Sequence, residues 1–296
     1  MSLSVDEIAA SPVFAEALRS FASKMRLQFD ESPRLARMLA SHQRWLLSQS
    51  AFALHLEYDP SKPGSGLTTT NLREIITVNN AASRNTVLNY LDQLLSYRFV
   101  RLAGDSNRRP RRYEATEVSH DAMFRWVVAN LAVLDAIDGG RREERIRQAP
   151  DLFRQLQPQI AHRAAYDQRW VNPPERVALF LWTEAGGLVM DELIRRATEI
   201  VPGVDGYDLG KLEARVLAEH FMISRTHLQR LLRRSVEIGG LSVYGPQKNH
   251  YILAKDFLTE YRYWQAVKFA LVDEAYEAVC GPALTQKPVI SRTAEI

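Results

Sequence analysis

Apolar positions recur at helical spacing over much of the chain, and one order of patterns occurs twice. Over residues 33–56, Leu35, Met38, Leu39, Trp45, Leu46 and Phe52 fall at intervals that predict a helix. Pro60 to Gly66 breaks it. Thr68, Thr69 and Thr70 are short and β-prone, and Asn71 is placed to cap a short helix through Ile76. Val78, Asn79 and Asn80 predict a turn. Ser83 is a favourable N-cap for a helix with apolar Val87, Leu88, Leu91, Leu94 and Leu95. Strands are expected over 97–102 and 111–116, joined by a loop over 104–110. A long helix follows over 120–137, with Trp126, Val127, Leu131, Val133 and Leu134 spread around it. A helix apolar nearly all round is buried.

The same order then returns. A helix is expected after Pro173-Pro174 and a short one over 212–220. A helix capped by Ser224 reaches Ile238 and stops at Gly239-Gly240. Strands over 241–244 and 250–255 flank Gly245 to Asn249. A long helix over 257–279 carries Tyr263, Trp264, Val267, Phe269, Leu271 and Val272. At an offset of 141, Ile75 meets Val216, Ser83-Arg84 meets Ser224-Arg225, Val87 meets Leu228, Leu91 meets Leu232 and Val100 meets Leu241. Past the loop the offset is 138, where Tyr113 meets Tyr251, Trp126 meets Trp264 and Asp135 meets Asp273. Pro33 precedes Pro174 by 141, and Pro12 to Phe14 faintly echoes Pro150 to Phe153. A length change confined to one turn-rich loop is what an exposed connection tolerates. The expected organisation is two units of one plan, residues 1–138 and 139–285, followed by a flexible tail over 286–296. The joint runs from Asp138 to Glu144, a glycine pair followed by a charge run. There, ion pairing of Glu143 and Glu144 with Arg141, Arg142, Arg145 and Arg147 on a solvated helix is expected.

Composition narrows the class. The 296 residues are 46% hydrophobic and 25% charged, ordinary for a folded globular protein. No apolar run reaches the roughly 20 residues that span a bilayer, and the N-terminal residues lack the pattern of a signal peptide. A cytoplasmic, nucleoid-associated protein is expected, with no membrane partner. The single cysteine, Cys280, excludes a disulfide framework, and a structural role is expected for it. Net charge is only +3, but its distribution matters more. Residues 83–113 carry seven Arg and two Asp, net +5, and residues 224–250 carry four Arg, one Lys and one Glu, net +4. Two basic segments therefore sit on an acidic remainder, as an electrostatic footprint for nucleic acid requires.

Helix, turn, helix and a two-stranded hairpin make a helix-turn-helix with a wing. The stretch GLTTTNLREIITVNNAASRNTVLNYLDQLLSYRFVRLAGDSNRRPRRYEATE resembles the DNA-binding region of the MarR-type winged-helix transcription regulators. The likeness lies in Leu67-Thr68, the Ser83-capped helix, the apolar residues closing it, and the wing Asp105, Arg108, Arg109, Arg111, Arg112. The second half is similar but weaker, with a shorter wing holding one Lys and no Arg. The resemblance implies a mainly α fold with small β wings: two winged helix-turn-helix domains in tandem. Their helix-turn-helix segments lie at about 71–96 and 211–238, and their wings at about 99–116 and 241–255. It also implies that the long helices pair subunits, here the two halves as an internal pseudo-dimer or two chains as a homodimer.

The physics of DNA contact points the same way. A recognition helix reaches base edges from its N-terminal residues. With Val87, Leu91 and Leu94 turned inward, Ser83, Arg84, Asn85, Thr86 and Asn89 are left for DNA. With Leu228, Leu231 and Leu232 inward, Ser224, Arg225, Thr226, His227, Gln229, Arg230 and Arg233 are left. N-capping is the expected main role of both serines. Arg108, Arg109, Arg111, Arg112 and Lys248 sit on wing tips, where Arg suits a narrow minor groove. Acids are nearly absent from these faces, unlike ordinary solvated helices.

No phosphate loop, nucleophile elbow or zinc-protease motif is present, so neither an enzyme nor a cofactor is expected. His220 and His227 are too far apart to gather a metal. Trp45, Phe52, Trp126, Phe180, Trp182 and Trp264 are assigned to core packing. A pocket for a small-molecule effector is the alternative that the resemblance implies. The expected function is a bacterial-type, sequence-specific regulator of transcription on double-stranded DNA. Two alternatives remain open at this point, a plasmid-type replication initiator with two winged helices and a winged-helix scaffold for protein partners.

Overall fold

The computed structural model describes residues 1–78, 82–104 and 110–283. Among them the chain is mainly helical, with two small antiparallel sheets. The first half contains α1 (Val5–Ala10), α2 (Phe14–Glu31), α3 (Pro33–Arg37), α4 (His42–Leu56), β1 (Leu67–Thr68), α5 (Thr69–Val78), α6 (Arg84–Ser96), β2 (Val100–Ala103), β3 (Arg112–Ala115) and α7 (Glu117–Asp138). The second contains α8 (Arg142–Gln148), a 3-10 turn (Pro150–Leu152), α9 (Phe153–Tyr166), α10 (Gln168–Val171), α11 (Glu175–Leu181), α12 (Gly186–Arg196), β4 (Glu199–Ile200), β5 (Gly206–Lys211), α13 (Ala214–His220), α14 (Arg225–Glu237), β6 (Leu241–Tyr244), β7 (His250–Ala254) and α15 (Lys255–Cys280).

The two sheets share a plan. The first has the order β1-β3-β2, and the second has β5-β7-β6 with β4 added at the edge. Leu102 pairs with Tyr113 in one, and Val243 with Tyr251 in the other. The connection 104–111 is three residues longer than its counterpart 245–249, so the length difference falls at a hairpin tip and leaves the register intact. Helices α6 and α14 are each 13 residues long and start at the same offset of 141.

Each half covers the other. Helix α2 packs on α12 of the second half, and α9 packs on α4 of the first. Helix α1 lies along α15, while α8 lies against α7. The long helices α7 and α15 touch one another. One apolar core runs through both halves, from Ile8 to Cys280. The apolar sides of α7 and α15 close it, with Trp126, Val127, Leu131, Leu134, Trp264, Val267 and Phe269 all buried. At the centre, Arg142 is 1% exposed and meets Asp135, Asp138 and Asp273.

Several local expectations change. Residues 33–56 are not one helix, because the chain turns between α3 and α4 at Ser41, whose hydroxyl accepts from Arg44 N. Asn71 does not cap α5. Thr68 does, accepting from Asn71 N at 3.1 Å, while the Asn71 amide donates to Gly64 O and Gly66 O. Val78 closes α5 rather than opening a turn. Leu88 and Tyr263 are exposed, the latter with its hydroxyl 3.2 Å from Asp6 Oδ1. The joint is no simple solvated charge run. Arg141 pairs with Glu144 and Arg147 with Glu143 as expected, but Arg142 turns inward. Strand β5 and helices α1, α2, α9 and α12 go beyond what the pattern predicted. The turn at Asn79 and Asn80, wing residues Asp105, Arg108 and Arg109, and the tail over 286–296 lie outside the described residues. No helix among the described residues is long and apolar enough to cross a membrane.

Candidate nucleic-acid interface

Helices α6 and α14 are built alike. Ser83 accepts from Thr86 N at 3.2 Å, and Ser224 from His227 N at 3.1 Å. Each cap satisfies one of the backbone donors that a helix N-terminus leaves free. Val87, Tyr90, Leu91 and Leu94 bury one side of α6, and Leu228, Leu231 and Leu232 bury the same side of α14. Each buried Leu or Val contributes roughly 1.5–3 kcal/mol, enough to fix which face is left to solvent.

That face carries most of the expected residues. On α6, Ser83, Arg84, Asn85 and Asn89 are exposed and Thr86 is half-buried, its hydroxyl 2.9 Å from Ser83 Oγ. On α14, Ser224, Arg225, Thr226, Gln229, Arg230 and Arg233 are exposed. His227 departs from this set: it is half-buried, and its buried Nε2 has no hydrogen-bond partner among the described residues. Arg233 and Arg234 share Glu237, at 3.8 and 3.0 Å. Among the described residues, Arg84, Arg225 and Arg230 have no ion-pair partner. Among the described residues Arg84 and Arg225 are thus uncompensated at the first position of each helix, where the backbone N–H groups and the helix dipole already favour an anion, with Arg230 one turn further along α14.

The hairpins differ more. Arg111 is exposed and unpaired among the described residues. Arg112 is not free: its guanidinium lies 3.7 Å from the Tyr58 ring centroid and 2.9 Å from Glu114. Arg101, outside the expected set, is exposed on β2 and shares Glu114 at 3.3 Å. On the second hairpin Lys248 is exposed in a left-handed conformation, φ 48°. The sequence offered no signal for the Tyr58 contact, which joins positions 54 residues apart.

Metal and redox readings gain no support. His220 Nε2 lies 2.9 Å from Asp30 Oδ1 and the ring packs on Phe29, away from His227. No group of three potential metal ligands occurs among the described residues. Cys280 is a buried free thiol, pushed up by burial. Comparison with protein-family models, with curated proteins and with solved structures finds no match.

Proposed function

We propose that the chain is a sequence-specific regulator of transcription on double-stranded DNA, built from two winged helix-turn-helix units in tandem. The observation that carries this reading is the pair of serine-capped helices α6 and α14. They turn Arg84, Asn85 and Asn89, and Arg225, Gln229 and Arg230, toward solvent, with no ion pair to these arginines among the described residues. Arg pairs two-pronged with guanine, and Asn or Gln with adenine, at about 1–3 kcal/mol of discrimination each. The hairpins stand beside these helices as wings, with Arg111 and Lys248 as the described basic residues placed for phosphate. Arg112 belongs instead to the packing against Tyr58.

The units comprise residues 1–138 and 139–285, paired by α7 and α15 as a pseudo-dimer within one chain. Support comes from the exchange of N-terminal helices, since α2 and α9 each cover the opposite half. Because α6 and α14 differ in sequence, the preferred DNA site is asymmetric. The test is a salt titration of binding to random duplex DNA, read by fluorescence anisotropy. Measurable affinity at about 50 mM salt, falling steeply as counterions compete, is expected. Absence of binding at that salt overturns the reading and leaves a protein-binding scaffold.

A further inference from the structure

All five tryptophans of the chain gather in one cluster around His42. The His42 ring lies 5.0 Å from Trp170, 5.3 Å from Trp182 and 5.4 Å from Trp264, and stacks at 6.2 Å on Trp45. Trp45 reaches Trp126 at 5.6 Å, and Trp170 stacks on Trp264 at 4.0 Å. Core packing alone would fill such a cluster. Instead it borders a cavity of about 160 Å³, into which both halves contribute. The cavity lies where the halves meet, since Trp126 and Trp264, which correspond at the offset of 138, both line it. At its wall Gly187 N donates to Ala40 O at 2.8 Å, and a side chain at 187 would strike the same oxygen.

The lining is polar in a specific way. His42, Trp170 and Gln265 are each more than nine-tenths buried, yet His42 Nε2, Trp170 Nε1 and Gln265 Oε1 have no hydrogen-bond partner among the described residues. Orphaned buried groups of this kind cost about 1–3 kcal/mol each unless a ligand or water meets them. Burial pushes His42 down to about 4 and so holds the ring neutral, and its buried Nε2 is left open to accept or to donate according to the tautomer. Asp191, partly exposed, and Lys268, 4% exposed, also line the cavity. No ion pair within 4 Å joins either to another described residue, but their opposite charges act on one another. The Lys268 ammonium rests 4.0 Å from the rings of Phe21 and Phe269. Gln265 Oε1 and the Asp191 carboxyl are the open acceptors of the lining, and His42 Nε2 takes either role.

We propose that this cavity is a binding site for one small aromatic amine per chain, a single ring carrying an N–H donor. A cavity of about 150 Å³ accommodates benzene, which sets the size. The tryptophan faces favour a ring and a cation, and the open acceptors favour the donor. The site does not depend on the DNA reading.

Benzylamine, benzoate and toluene are the probes, followed by tryptophan fluorescence and by calorimetry for stoichiometry. Benzylamine is expected to quench fluorescence saturably at one molecule per chain, with benzoate and toluene at least about tenfold weaker. Asp191→Asn is expected to weaken benzylamine about tenfold or more. Gln265→Leu, which removes the orphaned acceptor together with the Nε2 bond to the Tyr261 hydroxyl, is expected to weaken it in a chain that circular dichroism shows to be folded. Gln265→Leu stands in if Asp191→Asn does not fold. Benzoate or toluene binding as tightly as benzylamine overturns the proposal. So does unchanged affinity in the folded variants, or no saturable quenching up to about 10 mM.

Discussion

Arg142 Nε donates to Asp273 Oδ1 at 2.7 Å, joining residues 131 positions apart in the chain. The same guanidinium reaches Asp135 at 3.1 Å and Asp138 at 2.8 and 2.6 Å, with a second bond to Asp273 at 3.2 Å. All five of its N–H donors are thereby used. Asp135 also accepts from the backbone N of Arg142 and Glu143, capping α8, while Asp273 accepts from Leu3 N ahead of α1. Asp135 and Asp273 correspond at the offset of 138, so one arginine holds equivalent points of α7 and α15 together. Burial opposes its charge, but Asp138 and Asp273 hold the guanidinium above its ordinary pKa.

Removing that guanidinium leaves three carboxylates without their cation. Arg142→Met is expected to destabilise the chain by about 3–5 kcal/mol, because breaking a buried pair from one side strands the other charges. Urea unfolding followed by circular dichroism checks this. A loss below about 1 kcal/mol would mean that water or rearrangement supplies what Arg142 supplies.

Two arginines adjacent in sequence are expected to behave differently. Arg112→Ala loses the Tyr58 and Glu114 contacts and should cost about 1–2 kcal/mol of stability with little change in DNA affinity. Arg111→Ala should leave stability within about 0.5 kcal/mol and lower the salt slope of DNA binding by about one. Thermal melts and anisotropy titrations on both variants separate the roles.

On the proposed recognition helices, Arg225→Ala and Arg230→Ala are each expected to weaken DNA binding, by about 1–3 kcal/mol where the contact is to a base. Ser224→Ala should cost about 1 kcal/mol of stability through the lost cap. Equal DNA affinity across all three would place the interface elsewhere.

His55 and His120 face each other with Nε2 atoms 2.9 Å apart. Burial, and then the charge of His120, push His55 down to about 4 from 6.5. The unfolded chain therefore takes up its proton first as pH falls. The stability contributed by a neutral His55 is present above pH 6.5 and is lost between 6.5 and about 4. His55→Gln should flatten the acid limb of a stability–pH curve by up to about tenfold in the unfolding equilibrium per pH unit. An unchanged limb would assign acid sensitivity to other groups.

The repeated order of short helix, capped helix, hairpin and long helix, the serine caps and the inward faces of α6 and α14 could be read from the residues alone. They depend on local spacing and on side chains bonding within three positions, as Ser83 and Ser224 do. The paired offsets of 141 and 138 likewise located the length change at a hairpin tip. Tertiary structure decided what depends on distant partners. Arg112 is exposed by pattern and is captured by Tyr58, and Arg142 belongs by pattern to a solvated run and is buried by Asp273. Trp45, Trp126 and Trp264, assigned to the core, border a cavity that forms only where the two halves meet. Charge and apolar periodicity report which face of an element is buried. They carry no record of which element arrives to bury it.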